Sequence, residues 1–386
     1  MKKPFVLERG TTQFRILVGV GTALLALGVL WASGFQPFEM NQVTRVMIYA
    51  IAISGLNVAT GYVGLLSIGH SAFFGIGAYT TGILVVRHGW EAWLTIPIAF
   101  IVCLVVGLLV GLPAMRIRGL YLAMVTLAFA VAFPEIVARF SNLTGGAGGL
   151  TIRRNDLRPP EWTGLSLGQK DLWLFWLAVV VLALTLLTTY ALTRSRFGLA
   201  MTAVRQNEIA ASSSGVNVAF VKVSSFGLSG AITGAAGALF AMYMGSLFAE
   251  GSFTLLAGIT LLIGLVIGGE RTVLGPIIGA LVVVYIPYYT SDIGGGQFSA
   301  VLFALVLLFV IFVAPSGVAG ALAKLLRRFV IIRSPRPAAV VGSATVQGQS
   351  GEIVAVEASN DSPAPTDSPG TEATEPVSTT FGSGKP

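Results

Sequence analysis

The chain has 386 residues, of which 54% are hydrophobic and only 11% charged, where a soluble domain carries roughly a quarter of its residues as charges. A soluble core of this size is excluded. The net charge of +7 divides into a basic body, with 23 Lys and Arg against 11 Asp and Glu over residues 1–336, and an acidic tail, with one Lys against six acids over 337–386. In a membrane protein a basic excess points to topology and lipid headgroups rather than to nucleic acid, so no nucleic-acid partner is expected. The single Cys103 excludes an intrachain disulfide.

Long stretches without Asp, Glu, Lys or Arg recur from Ile16 onward. Hydrocarbon offers the backbone no hydrogen bonds, so such stretches must be helices. An all-α, polytopic integral membrane protein with about ten transmembrane helices follows. The expected crossings are 16–37, 46–65, 70–86, 92–114, 119–138, 172–193, 223–246, 252–269, 272–291 and 297–314, together a permease-like body over 16–323. The first is longer than a signal-peptide core and is expected to stay as an anchor.

Basic residues near span ends resist translocation. That bias places both termini in the cytoplasm, including the segment 1–15, with the loop 194–222 on the same side and the loop 141–171 on the opposite one. Ten spans also divide as five plus five, and an odd number per half would invert the halves, as in many transporters. Small-residue segments recur in each half, at 61–82 and 227–245.

Of the 47 glycines, several fall at small-x-x-x-small spacing: Gly107/Gly111, Gly230/Gly234, Gly264/Gly268 and Gly275/Gly279. Ordinary close packing of helices in lipid explains each pair. The denser cluster from Gly61 to Gly82 fits a broken or tightly crossed helix beside a pathway. Near it stand polar candidates for a translocation path: Asn57, Gly61, Ser67, His70, Thr126 and, near the outer end of the fifth span, Glu135. Each has a plainer role as well. Asn57 and Thr126 could bond neighbouring helices, His70 could satisfy a helix end, and Glu135 could pair with Arg139 four residues on.

The loop 194–222 has good helix formers from Leu199 to Ser213, with Gly215 suited to a C-terminal cap. A surface helix is expected, with Arg205 and Glu208 paired on its wet face and Ala210, Ala211 and Gly215 forming a flank of little bulk. Residues 324–336 are basic and apolar by turns, which suits a helix on the anionic inner leaflet. The tail 337–386 is rich in Ser, Thr, Pro, Ala, Gly and acids and is expected to be disordered.

No Gly-x-x-x-x-Gly-Lys-Ser/Thr phosphate loop is present, and two histidines are too few and scattered for a metal site. No catalytic site, cofactor or metal is expected. The segment Glu208-Ile-Ala-Ala followed by Gly215 resembles the Glu-Ala-Ala, three-residue gap, Gly core by which bacterial ABC importer permeases dock on their ATPase. GLNVATGYVGLLSIGHSAFFGIGAY at 55–79, RIRGLYLAMVTLAFA at 116–130, LTGGAGGL at 143–150 and GGERTVLGPIIGA at 268–280 narrow the likeness. Together they resemble the M-type permease subunit of branched-chain amino acid importers, a family that includes urea and short-amide permeases. The resemblance implies a transporter subunit of the bacterial inner membrane rather than an enzyme. Its implied partners are a second permease subunit, two ATPase subunits and an extracytoplasmic substrate-binding protein, and it implies that Arg205, Glu208, Ala210, Ala211 and Gly215 couple the chain to the ATPase. The alternatives are a urea or short-amide permease of the same design and a stand-alone secondary transporter.

Overall fold

A computed structural model of the chain describes residues 5–8, 34, 36–117, 119–313, 317–321 and 330–333. Most of the expected first crossing, most of the N-terminal segment 1–15 and the whole tail 337–386 lie outside the described residues. The α-helices of more than one turn, in chain order, are α1 (Pro37–Leu56), continued by a π-helix (Asn57–Val63), α2 (His70–His88), α3 (Thr95–Gly111), α4 (Leu120–Arg139), α5 (Lys170–Arg194), α6 (Arg196–Gln206), α7 (Glu208–Ser213), α8 (Val218–Met244), α9 (Leu255–Gly268) and α10 (Gly275–Val313). Among the described residues six helical segments are long and apolar enough to cross a membrane, and a shorter apolar helix accompanies them. The chain is an all-α polytopic membrane protein.

The expected second crossing begins nine residues earlier than its hydrophobic run. Pro37 sits at the first helical position, where its missing N–H costs nothing, and Glu39 lies in the first turn. Hydropathy alone could not extend the helix across Glu39 and Arg45.

Two segments form the centre of the bundle: in both Phe38–Val63 and Val218–Met244, 94% of the apolar span is buried. They sit there because α8 is built of Gly, Ala and Ser, which let neighbouring backbones approach. A Cβ at Gly55 of α1 would come within 2.8 Å of the Ser229 carbonyl of α8, one at Gly107 of α3 within 2.9 Å of Gly227 Cα, and one at Gly230 within 3.0 Å of the Phe73 ring of α2. Gly77 of α2 lies on the Gly234 carbonyl, and Gly264 and Gly268 of α9 lie against Gly279 and Gly275 of α10. All four small-residue pairs thus mark close helix approaches, and the small-residue segments of the two halves pack on each other.

Helical hydrogen bonding runs unbroken from Gly275 to Val313, where two crossings separated by a turn were expected. A straight helix of 39 residues would be about 58 Å long. Both ends of this one meet the same residue: Gly275 packs on the Gly269 carbonyl, and Gly317, four residues past the end, packs on Gly269 Cα. The helical run is therefore not one straight rod, and the expected separation into two crossings is not seen as two helices.

Two short ribbons are formed among the described residues. β2 (Leu150–Thr151) pairs antiparallel with β3 (Ser246–Leu247), tying the loop 141–171 to the end of α8. Trp162 in that loop meets Trp93 and Trp173 edge to face, with ring centroids 6.4 and 5.7 Å away. β1 (Phe5–Glu8) pairs parallel with β4 (Val330–Arg333). The expected surface helix over 324–336 is therefore wrong at 330–333, where the β-branched run Val330, Ile331, Ile332 favours a strand. Its remaining residues lie outside the described ones.

Candidate functional site

Helix α1 does not end in an ordinary cap. At Asn57 it widens into a π-helix of seven buried residues and leaves through Gly64, whose φ of 83° only glycine adopts freely. Such widened turns are rare and concentrate at functional sites. Asn57 Oδ1 lies over Gly61, filling the space a Cβ would take there. The same side chain reaches across to the α9–α10 loop: Asn57 Nδ2 donates to the Thr272 carbonyl at 2.9 Å, and Asn57 Oδ1 accepts from the Arg271 N–H at 3.1 Å. Arg271 is held there at φ 60°, the left-handed region that costs a non-glycine residue about 1–2 kcal/mol.

Arg205, near the end of α6, closes this arrangement from the loop side. Its Nη1 donates to the Thr60 carbonyl at 3.3 Å and to the Gly61 carbonyl, and its Nη2 pairs with Glu270 at 2.8 Å. Its aliphatic stem lies 3.0 Å from the place a Cβ would occupy on Gly64. The last turn of a helix leaves carbonyls without intrahelical partners, and a guanidinium is the side chain best shaped to serve two of them and a carboxylate together. Arg205 does not pair with Glu208, as expected from their spacing. The one expected helix is two, broken at Asn207, which is extended (φ −159°, ψ 111°) and caps α7 by accepting from the Ile209 and Ala210 N–H groups. That kink turns the two charged side chains to different partners.

Glu208 instead pairs with Lys222 of α8 at 2.6 Å, and Lys222 is only 1% exposed. A buried ammonium is sustained by a charge partner. Ala211 is buried, whereas Ala210 is exposed and Gly215, at φ 82°, has open space around it. The expected low-bulk flank is therefore split: Ala211 belongs to the core side of the loop and Ala210 and Gly215 to its free side, alongside the exposed Leu199, Ile209 and Phe220.

Beyond Gly64 the chain runs irregularly to α2. Ser67 and His70 are fully buried there, with Ser67 Oγ 2.9 Å from His70 Nδ1 and Ser229 Oγ 2.7 Å from His70 Nε2. Ser229 gives its one proton to the Gly55 carbonyl at 2.5 Å. His70 Nε2 therefore donates to Ser229, and Nδ1 accepts from Ser67. Thr126 of α4 accepts from the Ile68 N–H at 3.2 Å and so satisfies a second group of the irregular stretch. His70 and Thr126 thus satisfy polar backbone and side chains around the break in α1.

Asn57, Gly61, Ser67, His70, Thr126 and Arg205 are thus gathered around one interrupted helix. Glu135 is not: it is exposed on the opposite end of α4, and no ion pair to Arg139 forms. Three residues that sequence reasoning passed over belong with the group, namely Ser229, Lys222 and Glu270. Glu270 lies within the 268–280 segment, and Lys222 is the last residue of the loop 194–222. Among the described residues no cluster of His, Cys, Asp and Glu could hold a metal ion.

Comparison with known proteins agrees with this architecture. The model of the family described as branched-chain amino acid transport system / permease component matches residues 40–315. The chain is 34% identical over 280 residues to the high-affinity branched-chain amino acid transport system permease protein LivM of Escherichia coli K12, covering 68% of this chain and 66% of the relative. It is 33% identical over 280 residues to LivM of Salmonella typhimurium, at the same coverage. To the E. coli permease protein LivH it is 23% identical over 297 residues, 72% of this chain and 94% of that one. The chain thus spans just under two thirds of the length of the two LivM proteins. No solved structure matches it. With the family's model covering the whole described bundle from α1 to α10, the chain belongs to the permease components of branched-chain amino acid transport systems.

Proposed function

We propose that the chain is the membrane-spanning permease subunit of an ATP-driven importer and translocates branched-chain amino acids delivered by an extracytoplasmic binding protein. It works beside a second permease subunit, and two ATPase subunits bind on the cytoplasmic side. The names of the LivM and LivH relatives support the substrate class and the two-permease design. In this reading the loop 194–222 is cytoplasmic and couples to the ATPase, the loop 141–171 is extracytoplasmic, and both termini are cytoplasmic. The pairing of β1 with β4 supports keeping both ends of the membrane body on one side.

The observation that carries the reading is the attachment of α6 and α7 to the bundle. Arg205 joins the loop to the interrupted end of α1, and Glu208 joins it to α8. Those are the two most buried membrane segments, so a push on the loop's free side reaches the helices at the centre of the protein. A loop that merely connected two spans would have no need of either bond.

The test is ATP-dependent uptake in proteoliposomes holding the assembled complex. Gly215→Trp puts bulk on the free side of the loop, where the protein itself leaves space. The variant is expected to insert into the membrane, lose uptake and copurify less ATPase. Full uptake with normal ATPase association would remove the coupling role from this loop.

A further inference from the structure

Along the face that α8 turns to α1, Thr233, Ser229 and Ser225 stand at four-residue spacing, one above another. The upper two meet successive carbonyls of α1: Thr233 Oγ1 lies 3.5 Å from that of Ala52, and Ser229 Oγ donates to that of Gly55 at 2.5 Å. In this antiparallel register the next carbonyl belongs to Ala59, in the π-helix on which α8 packs. Ser225, fully buried, nevertheless has no hydrogen-bond partner. The widened turn explains why. A carbonyl oxygen has two lone pairs, and the Ala59 oxygen already accepts two N–H groups, from Gly64 and, at 3.0 Å, from Leu65. In an α-helix it would accept only the Val63 N–H, four residues on, and keep a lone pair for Ser225.

We propose that the end of α1 has two registers, the widened one of this structure and an α-helical one in which Ser225 bonds the Ala59 carbonyl, and that Arg205 selects between them. The hydrogen bonds balance. On tightening, the Val63 N–H moves to the Ala59 carbonyl, and the Gly64 and Leu65 N–H groups move from it to the Thr60 and Gly61 carbonyls. Those are the two carbonyls that Arg205 now serves, so the helix takes over the task of the guanidinium, and Ser225 gains the partner it lacks. Gly64, at φ 83°, is the one residue that must cross from the left-handed region into the helix, and glycine does so freely. The widened register is held from outside α1, by Arg205 and by the bonds of Asn57 to the Arg271 N–H and the Thr272 carbonyl. Withdrawing α6 from the bundle removes Arg205 and favours the α-helical register, and returning it restores the widened one. The inference rests on the importer reading above and adds to it the element that movement of the loop 194–222 switches.

The experiment is cryo-electron microscopy of the assembled wild-type importer in nanodiscs, without nucleotide and trapped with ATP and vanadate. One of the two states is expected to show the widened turn with Arg205 on the Gly61 carbonyl. The other is expected to show an α-helix through Asn57–Val63, with Ser225 on the Ala59 carbonyl and Arg205 withdrawn. The same register in both states overturns the proposal. Ser225→Ala supplies a second reading, because the hydroxyl bonds only in the α-helical register. The population of that register should fall about tenfold, the loss of one hydrogen bond, and uptake with it, while the melting temperature of the nucleotide-free complex stays at the wild-type value. Wild-type uptake in Ser225→Ala would overturn the proposal, and so would a lowered melting temperature, which would make Ser225 a packing residue of the present state. Failure of the importer reading shows separately, as a complete wild-type system with its binding protein that takes up no branched-chain amino acid.

Discussion

Arg205 of α6 and Glu270 between α9 and α10 are 65 residues apart in sequence and 2.8 Å apart in space, on either side of the opened end of α1. Both side chains are about a third exposed, so the ion pair by itself contributes no more than about 0.2–1 kcal/mol. The bonds from Arg205 to the Thr60 and Gly61 carbonyls add more, because a charged donor satisfies buried backbone groups. Arg205→Ala should leave the complex assembled and hydrolysing ATP while uptake falls about tenfold. Arg205→Lys should not rescue it, since an ammonium cannot span two carbonyls and a carboxylate in that fixed geometry. The ratio of amino acid transported to ATP hydrolysed is the measurement, and an unchanged ratio in Arg205→Ala would show that the contact carries no coupling.

Glu208 has a structural task that its motif does not announce. Removing it strands the ammonium of Lys222, which is 1% exposed, and breaking a buried pair in this way costs about 3–5 kcal/mol. Glu208→Ala should lower thermal stability in detergent more than Gly215→Ala does, since the latter meets only backbone strain of about 1–2 kcal/mol. The double variant Glu208→Ala with Lys222→Met should recover much of the loss. Equal melting temperatures for Glu208→Ala and its double variant would mean that the buried charge is not the cause.

Two glycines separate packing from mere flexibility. A Cβ at Gly77 would fall on the Gly234 carbonyl where α2 crosses α8, whereas one at Gly148 would meet nothing within 4 Å. Gly77→Val should abolish stable accumulation in the membrane. Gly148→Ala should stay within about ±0.5 kcal/mol of wild type. Membrane yield and size-exclusion profile check both, and a well-folded Gly77→Val protein would contradict the tight crossing.

Sidedness is checked by cysteine labelling in a variant lacking Cys103. A label at Ser213 should be reached only from the cytoplasm and one at Ser166 only from outside, because α5, with charges at both ends and none across its apolar middle, separates the two loops. Labelling of both from the same face would rule out α5 as a crossing.

Hydropathy made the membrane body legible because lipid leaves the backbone no alternative to helix. The ends of α2, α4 and α5 fall within about two residues of their hydrophobic runs, within the usual error for element boundaries. The start of α1 was hidden, since Glu39 and Arg45 interrupt hydropathy without interrupting the helix. The glycine pairs were readable for the same reason as the spans: where only van der Waals contact drives association, missing side chains mark the contacts. The broken helix was foreshadowed by the crowding of Gly61, Gly64 and Gly69.

What sequence could not decide was which charges meet. Helical spacing alone pairs Arg205 with Glu208, three residues on, but the backbone turns at Asn207, and each finds a stronger partner from a distant helix. Likewise Val330–Arg333 reads as part of a basic amphipathic helix until the strand Phe5–Glu8 is placed beside it. Local pattern determined that this chain would span the membrane, because each helix satisfies its own backbone. The joining of the loop 194–222 to the central helices rests on contacts between residues 65 or more apart and on the buried pair of Glu208 and Lys222, and only the tertiary structure brings those side chains together.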